Sequence, residues 1–296
     1  MKPLNNSTER IGYFPGCSLA SGARDYNESV LAVSAAAGVA LVEIPDWNCC
    51  GATAAHAVNK QLSISLPARS LAIAAENGFT TIVAPCAACY NRLHGVNREL
   101  SEDAGKRAEI EGIISREFKG GLRVINALEY AKEFLMPALA GKIKPLKGLR
   151  LAPYYGCLLV RPPEVVQFDD PEDPKVMDAV IGDLGAQAVD WEYKIECCGG
   201  GHSLTRTDIV VNLSGAILKA AREANADGIV TACPMCHSNL DMRQLSVMKR
   251  EGWKTGVPVY YLTQIIGLAI GLDEKALGIR RHFIPAGGLA AKKAAN

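Results

Sequence analysis

Ten cysteines arranged in two matching runs constrain this chain more than any other feature. Cys17, the adjacent pair Cys49 and Cys50, and the C-x-x-C pair Cys86 and Cys89 recur as Cys157, Cys197 and Cys198, and Cys233 and Cys236. Each adjacent pair is followed by glycine, and no cysteine falls outside the two runs. The intervals are 31 and 35 residues in the first run and 39 and 34 in the second. The flanks repeat too, GYFPGCSL against APYYGCLL and IVAPCAACYNRL against IVTACPMCHSNL. The chain is therefore an internal duplication with an insertion between Cys157 and Cys197. The candidate is RPPEVVQFDDPEDP, residues 161–174, whose prolines and acids suit a surface loop. A loop beside one site only is either a plain connection or a wall of a substrate pocket.

A chain of 296 residues, 49% of them hydrophobic, is long enough to build its core without covalent staples. A net charge of +1 gives no bias toward nucleic acid or an anionic membrane. The start MKPLNNSTER lacks the apolar stretch of a secretory signal, and runs such as YLTQIIGLAIGL are shorter than the roughly 20 residues a bilayer needs. The expectation is a cytoplasmic protein without a transmembrane segment. In a reducing compartment, ten cysteines favour metal ligation or thiol redox chemistry over a disulfide framework.

Short β-prone runs precede the cysteines: IGYFPG, VEIPDW, TTIVAP, LRLAPYYG and DGIVTA. Helical patterns lie between them. Asp25 and Glu28 have the spacing of a capping box, followed by Tyr26, Val30, Val33 and Ala37 at helical intervals. Further on, Ile209, Leu213, Ala216 and Ala220 fall on one helical face. The alternation implies an α/β fold of two pseudo-symmetric units with mainly parallel sheets, the cysteine loops lying at the strand C-terminal ends where such sheets gather ligands. LRVINALEYAKEFL and VPVYYLTQIIGLAIG would close the two units with a strand and a helix each, and the charged run 99–120 reads as a solvated helix face with a linker role. The lysine, proline and glycine of GKIKPLKG put the boundary there, giving units 1–145 and 146–296. The alanine- and glycine-rich tail after Phe283 reads as frayed or as a partner contact.

Five thiols per unit exceed what one metal site needs. Structural zinc and a cubane iron–sulfur cluster each take four ligands, so one thiolate in each set must bridge metals, bind a larger or opened cluster, or stay reactive. Adjacent side chains in an extended chain point apart, and the glycine after each pair lets the backbone turn both sulfurs inward. A helix after each C-x-x-C would favour thiolates, and all-sulfur ligation selects iron–sulfur or zinc over magnesium or calcium. The extra glycines of CCGGGH serve as a flexible turn or as room for a substrate. His56, His202 and His237 flank the sets and read as hydrogen bonders more readily than as acids; Arg161 and Arg206 read as solvated charge before anion attractors.

The doubled pattern C-x(31–39)-C-C-x(33–35)-C-x-x-C resembles the cysteine-rich CCG domain, and the chain from about Gly12 to Ile270 resembles the B subunit of heterodisulfide reductase, of the bacterial type. The resemblance implies a disulfide oxidoreductase in which Cys17, Cys49, Cys50, Cys86 and Cys89 hold one noncubane 4Fe–4S cluster and Cys157, Cys197, Cys198, Cys233 and Cys236 the other. Two one-electron centres facing a single cavity suit a two-electron disulfide cleavage. No G-x-G-x-x-G follows a strand, so electrons must come from elsewhere. The family implies two partners, the ferredoxin-like C subunit and the flavoprotein A subunit of heterodisulfide reductase, and relatives that act in sulfur oxidation or electron bifurcation. Three alternatives stay open. One is an iron–sulfur electron-transfer subunit of a lactate or glycolate oxidising complex, although the ferredoxin module common there is missing. The second is a scaffold subunit with zinc at one or both sites. A metal-free dithiol oxidoreductase, the third, would explain only the two C-x-x-C pairs.

Overall fold

The computed structural model describes residues 10–52, 54–287 and 289. The sequence readings on the N-terminal stretch and on most of the tail after Phe283 lie outside the described residues. Two four-stranded parallel sheets organise the rest. The first contains β1 (Ile11–Tyr13), β2 (Leu41–Glu43), β3 (Thr81–Val83) and β4 (Arg123–Ile125) in the order β2-β1-β3-β4. The second contains β5 (Arg150–Tyr154), β6 (Gln187–Ala188), β7 (Gly228–Thr231) and β8 (Val259–Tyr261) in the equivalent order β6-β5-β7-β8. Central strands are buried throughout: Ile82, Val83, Ile229 and Val230 have no solvent exposure, as expected where helices cover both faces of a parallel sheet.

The first half adds α1 (Gly16–Ala20), α2 (Arg24–Ala37), α3 (Ala54–Val58), α4 (Lys60–Glu76), α5 (Ala87–Glu102) and α6 (Ala104–Ile114). It ends with α7 (Ala127–Tyr130), which runs through a π turn into α8 (Met136–Leu139). The second half adds α9 (Pro163–Val166), α10 (Val176–Asp183), α11 (Thr207–Glu223), α12 (Pro234–Asp241), α13 (Gln244–Glu251) and α14 (Leu262–Ala269). The closing helix of each half packs on the other half: α14 on α2, and the π turn after α7 on α10. At the first contact Tyr26 stacks on Tyr261 with centroids 3.9 Å apart, and the Ser29 and Thr263 hydroxyls lie 2.7 Å apart. Among the described residues no helix is long and apolar enough to cross a membrane.

Several sequence expectations need correction. Asp25 does not cap α2: the N-cap is Ala23, without a side-chain bond, and Asp25 lies inside the first turn facing His282, while Glu28 pairs with Arg281. A tertiary partner from the far end of the chain has taken both acids. The buried face of α11 is Val210, Ser214, Ile217, Leu218 and Ala221, one position on from the expected stripe, and Leu213 is exposed. Its inner face is partly polar because the Ser214 hydroxyl donates to the Cys198 carbonyl at 3.3 Å, which masked the periodicity. The run 99–120 is no linker between units; it ends α5 and forms α6, which docks on α4 with Ile110 buried.

Candidate functional site

Cys17, Cys86, Cys157 and Cys233 follow directly on β1, β3, β5 and β7, while Cys49 and Cys197 sit on loops further from β2 and β6. In both halves the second strand sends a longer excursion toward the first and third. The glycine after each adjacent pair has a left-handed backbone, φ +72° at Gly51 and +82° at Gly199, a conformation that favours glycine. Its amide N–H turns back to donate to the first sulfur of the pair, Gly51 N to Cys49 Sγ at 3.4 Å and Gly199 N to Cys197 Sγ at 3.3 Å. Gly16 and Gly156, just before the first cysteine of each set, also have positive φ. A Cβ there would lie 2.7 Å from Cys89 Sγ and 2.9 Å from Cys236 Sγ, so each glycine is the floor on which a sulfur rests.

The fold brings each quintet together. Cys17 and Cys49 sulfurs are 3.9 Å apart, Cys50 and Cys89 3.3 Å, and Cys198 and Cys236 3.5 Å. Cys157 and Cys197 influence one another's protonation, as do Cys86 with Cys89 and Cys233 with Cys236. The quintets also adjoin: across the halves, Cys233 shifts the Cys86 thiol up, while Cys236 and then Cys86 shift the Cys233 thiol down. The Tyr26 hydroxyl lies 3.2 Å from the Pro85 carbonyl and 3.3 Å from the Ala232 carbonyl, the residues preceding the two C-x-x-C motifs.

The thiol lowered in the first set is Cys50, and in the second set both Cys197 and Cys233 are lowered. Hydrogen bonds from Cys49 and Cys89 hold Cys50 far below the ordinary thiol range. The Cys157 thiol, then the Gly199 and Gly200 amides, hold Cys197 down to about 5 against the opposing effect of burial. The donor set is five soft sulfurs with no carboxylate among them, with backbone N–H aimed at sulfur. That chemistry fits an iron–sulfur group held by thiolates.

A cavity of about 210 Å³ opens on the second quintet only, touching all five of its cysteines together with Tyr155, Gly200 and Gly201. The first half supplies its opposite wall with Ala52, Ala87 and Ala88, not with a sulfur. Among the described residues, the sulfurs on this cavity are those of the second quintet, and Ala52, Ala87 and Ala88 lie beside cysteines of the first. Gly201 has open space where a Cβ would stand, and at Gly200 a Cβ would make only ordinary contact, so neither needs to be glycine for close approach. The inserted segment 161–174 does not line this cavity. It clasps α5 of the first half, with Asn91 donating to the Leu158 and Arg161 carbonyls at 3.1 and 2.9 Å and Arg98 to the Glu164 carbonyl.

Of the flanking groups, Arg161 pairs with Glu172 and Arg206 with Asp208, while His56 and His202 are exposed. His237 is buried and its Nε2 lies 3.1 Å from the Val259 carbonyl. Sequence reasoning missed the group behind the second quintet. The Tyr155 hydroxyl donates to Asp178 at 2.8 Å, and Asp178 pairs at 2.7 Å with Lys194, whose side chain is 4% exposed. It also missed Asn239, which donates to the Cys198 carbonyl at 3.1 Å. The signal was available for Tyr155 alone, where YYGC replaces FPGC.

Comparison with known proteins agrees with this geometry. The cysteine-rich domain family, CCG, matches residues 11–94 and 151–241, more than half of the chain. A relative from Wolinella succinogenes, the membrane anchor subunit of 8-methylmenaquinol:fumarate reductase, is 30% identical over 94% of this chain and 98% of its own. The B subunit of the ferredoxin/F420H2-dependent CoB-CoM heterodisulfide reductase of Methanosarcina acetivorans is 31% identical over 82% of this chain and 83% of its own. A protein of Archaeoglobus profundus described as like the heterodisulfide reductase B subunit is 30% identical over 91% and 94%. The crystal structure of a hypothetical protein from Helicobacter pylori superposes with a TM-score of 0.74 over 94% of this chain and 52% of that one, at 13% identity, which shows a shared fold.

Proposed function

The chain belongs to the family of proteins built from two cysteine-rich CCG domains, and from that membership we propose that it is the catalytic subunit of a heterodisulfide reductase-like system. In this reading Cys17, Cys49, Cys50, Cys86 and Cys89 hold one iron–sulfur cluster of the noncubane 4Fe–4S type, and Cys157, Cys197, Cys198, Cys233 and Cys236 the other. When bound, such clusters supply electrons one at a time. Reduction of the substrate breaks one S–S bond and consumes two electrons and two protons, leaving two thiols; the reverse reaction forms the disulfide. The observation that carries the reading is the Tyr26 hydroxyl, 3.2 Å from the Pro85 carbonyl and 3.3 Å from the Ala232 carbonyl, which makes the two sulfur sets neighbours rather than separate stores.

The protein's own groups have definable parts in this. The Gly51 and Gly199 amides stabilise thiolate charge on Cys49 and Cys197. The cavity of about 210 Å³ that touches all five cysteines of the second set is the space its cluster would occupy, with Gly200, Gly201 and Tyr155 beside it. Tyr155, anchored by Asp178, forms a fixed polar wall. We assign electron donation to two proteins, one ferredoxin-like and the other a flavoprotein, the partner types of heterodisulfide reductase, and the location to the cytoplasm, where free thiols persist. We place the boundary at residue 145/146, where Leu146 begins the second unit by donating its amide to the Leu184 carbonyl at 2.8 Å.

The test is reoxidation of a reduced viologen by the anaerobically purified protein with a panel of small disulfides. Disulfide-dependent turnover that Cys157→Ser abolishes is the expected result. The full-length match to the Wolinella protein favours a second reading, a relay between a quinol and a partner reductase. Turnover with a naphthoquinone analogue and with no disulfide would select it.

A further inference from the structure

A second cluster of ligating side chains stands apart from the cysteines, where the C-terminal segment crosses the junction of the halves. Asp25 on α2, His237 on α12 and His282 after α14 each present a ligand atom within 4.8 Å of those of the other two. Asp25 and His237 are 8% and 4% exposed, and the His282 side chain is fully enclosed. Asp25 and His237 line a pocket of about 510 Å³ that also touches Cys17, so the cluster is reachable from solvent.

Hydrogen bonding settles which atoms carry lone pairs. The Gln264 amide is oriented by two backbone groups: its Oε1 accepts from Tyr261 N at 2.9 Å and its Nε2 donates to the Leu277 carbonyl at 3.0 Å. The same Nε2 lies 3.0 Å from His282 Nε2 and can only donate there, so that imidazole nitrogen bears a lone pair. Asp25 Oδ2 is 3.4 Å from this nitrogen, so the carboxylate and the imidazole face one position. His237 donates from Nε2 to the Val259 carbonyl, which leaves its Nδ1 as the lone-pair atom. Donation of one ring N–H to a backbone carbonyl is the arrangement that orients a metal-ligating histidine. The cluster is held in place from both ends: Arg281 forms a two-pronged pair with Glu28, and both oxygens of Asp241 accept from the backbone of Phe283 and Ile284.

We propose that Asp25, His237 and His282 form a binding site for a divalent transition-metal cation, with a free coordination position toward the pocket that Asp25 and His237 line. A cation between Asp25 and His282 takes the Nε2 lone pair that otherwise accepts from Gln264, whose amide keeps its bond to Leu277. Two imidazoles and one carboxylate select zinc or ferrous iron over magnesium or calcium. Because the three residues come from both halves and from the C-terminal segment, the bound cation also fastens the junction.

The test uses the anaerobically purified full chain, loaded with Zn²⁺ and desalted. The wild type is expected to retain about one zinc per chain with an X-ray absorption shell of nitrogen and oxygen at roughly 2.0–2.1 Å. Asp25→Asn and His282→Gln are expected to weaken zinc binding at least about tenfold, with iron and acid-labile sulfide unchanged. No retained zinc, a shell containing sulfur at about 2.3 Å, or variants that bind zinc as tightly as the wild type would each overturn the proposal. The absorption measurement needs no variant, so a misfolded substitution does not spoil the test.

Discussion

The two cysteine quintets share their scaffold and differ in what stands behind it. Both rest on a glycine of positive φ, Gly16 or Gly156, and both turn an amide back onto the first sulfur of the adjacent pair. Behind the second quintet lies the buried chain of Tyr155, Asp178 and Lys194; at the position matching Tyr155 the first half has Pro15, which offers no side-chain hydrogen bond. The cavity opens on the second set alone. Duplication preserved what holds the sulfurs, and divergence changed what surrounds them. In the proposed chemistry the second site meets the substrate and the first supplies it with electrons.

Removing one ligand from each site tests that division most severely. Cys89→Ser and Cys236→Ser are each expected to lower iron by about half, measured by metal analysis of anaerobic protein, while substrate-dependent spectral change vanishes only in the second. Equal effects on both readouts would break the comparison. Lys194→Met leaves Asp178 without its buried partner and is expected to cost about 3–5 kcal/mol in denaturant unfolding. The first half, with Pro15 at the position of Tyr155, is expected to show no such sensitivity. Gly16→Ala and Gly156→Ala each add a left-handed alanine and a clash with sulfur, roughly 2–4 kcal/mol together. The losses should match, because this part of the scaffold is common. Asn91→Ala removes the bonds to the Leu158 and Arg161 carbonyls, the second of them at the start of the inserted segment, and is expected to cost about 1–2 kcal/mol, with iron content unchanged.

Much of this was legible before any coordinates. The cysteine runs gave the duplication, and five of the β-prone runs became the strands that present them. Three things stayed hidden, each because it depends on contacts between distant segments. Asp25 looked like a helix cap because its partner, His282, arrives from the far end of the chain. The face of α11 was misread because Ser214 spends its burial on the Cys198 carbonyl. The interaction of Cys86 with Cys233 joins equivalent positions of the two repeats, and spacing within one repeat carries no information about it.

The central claim is that the ten thiols hold two iron–sulfur centres side by side at the junction of the halves. An anaerobic crystal structure with anomalous scattering recorded at the iron edge tests it directly. Two iron peaks are predicted, one within reach of Cys17, Cys49, Cys50, Cys86 and Cys89 and the other of Cys157, Cys197, Cys198, Cys233 and Cys236. Iron at one quintet only, or a signal at the zinc edge in place of iron at both, would contradict it.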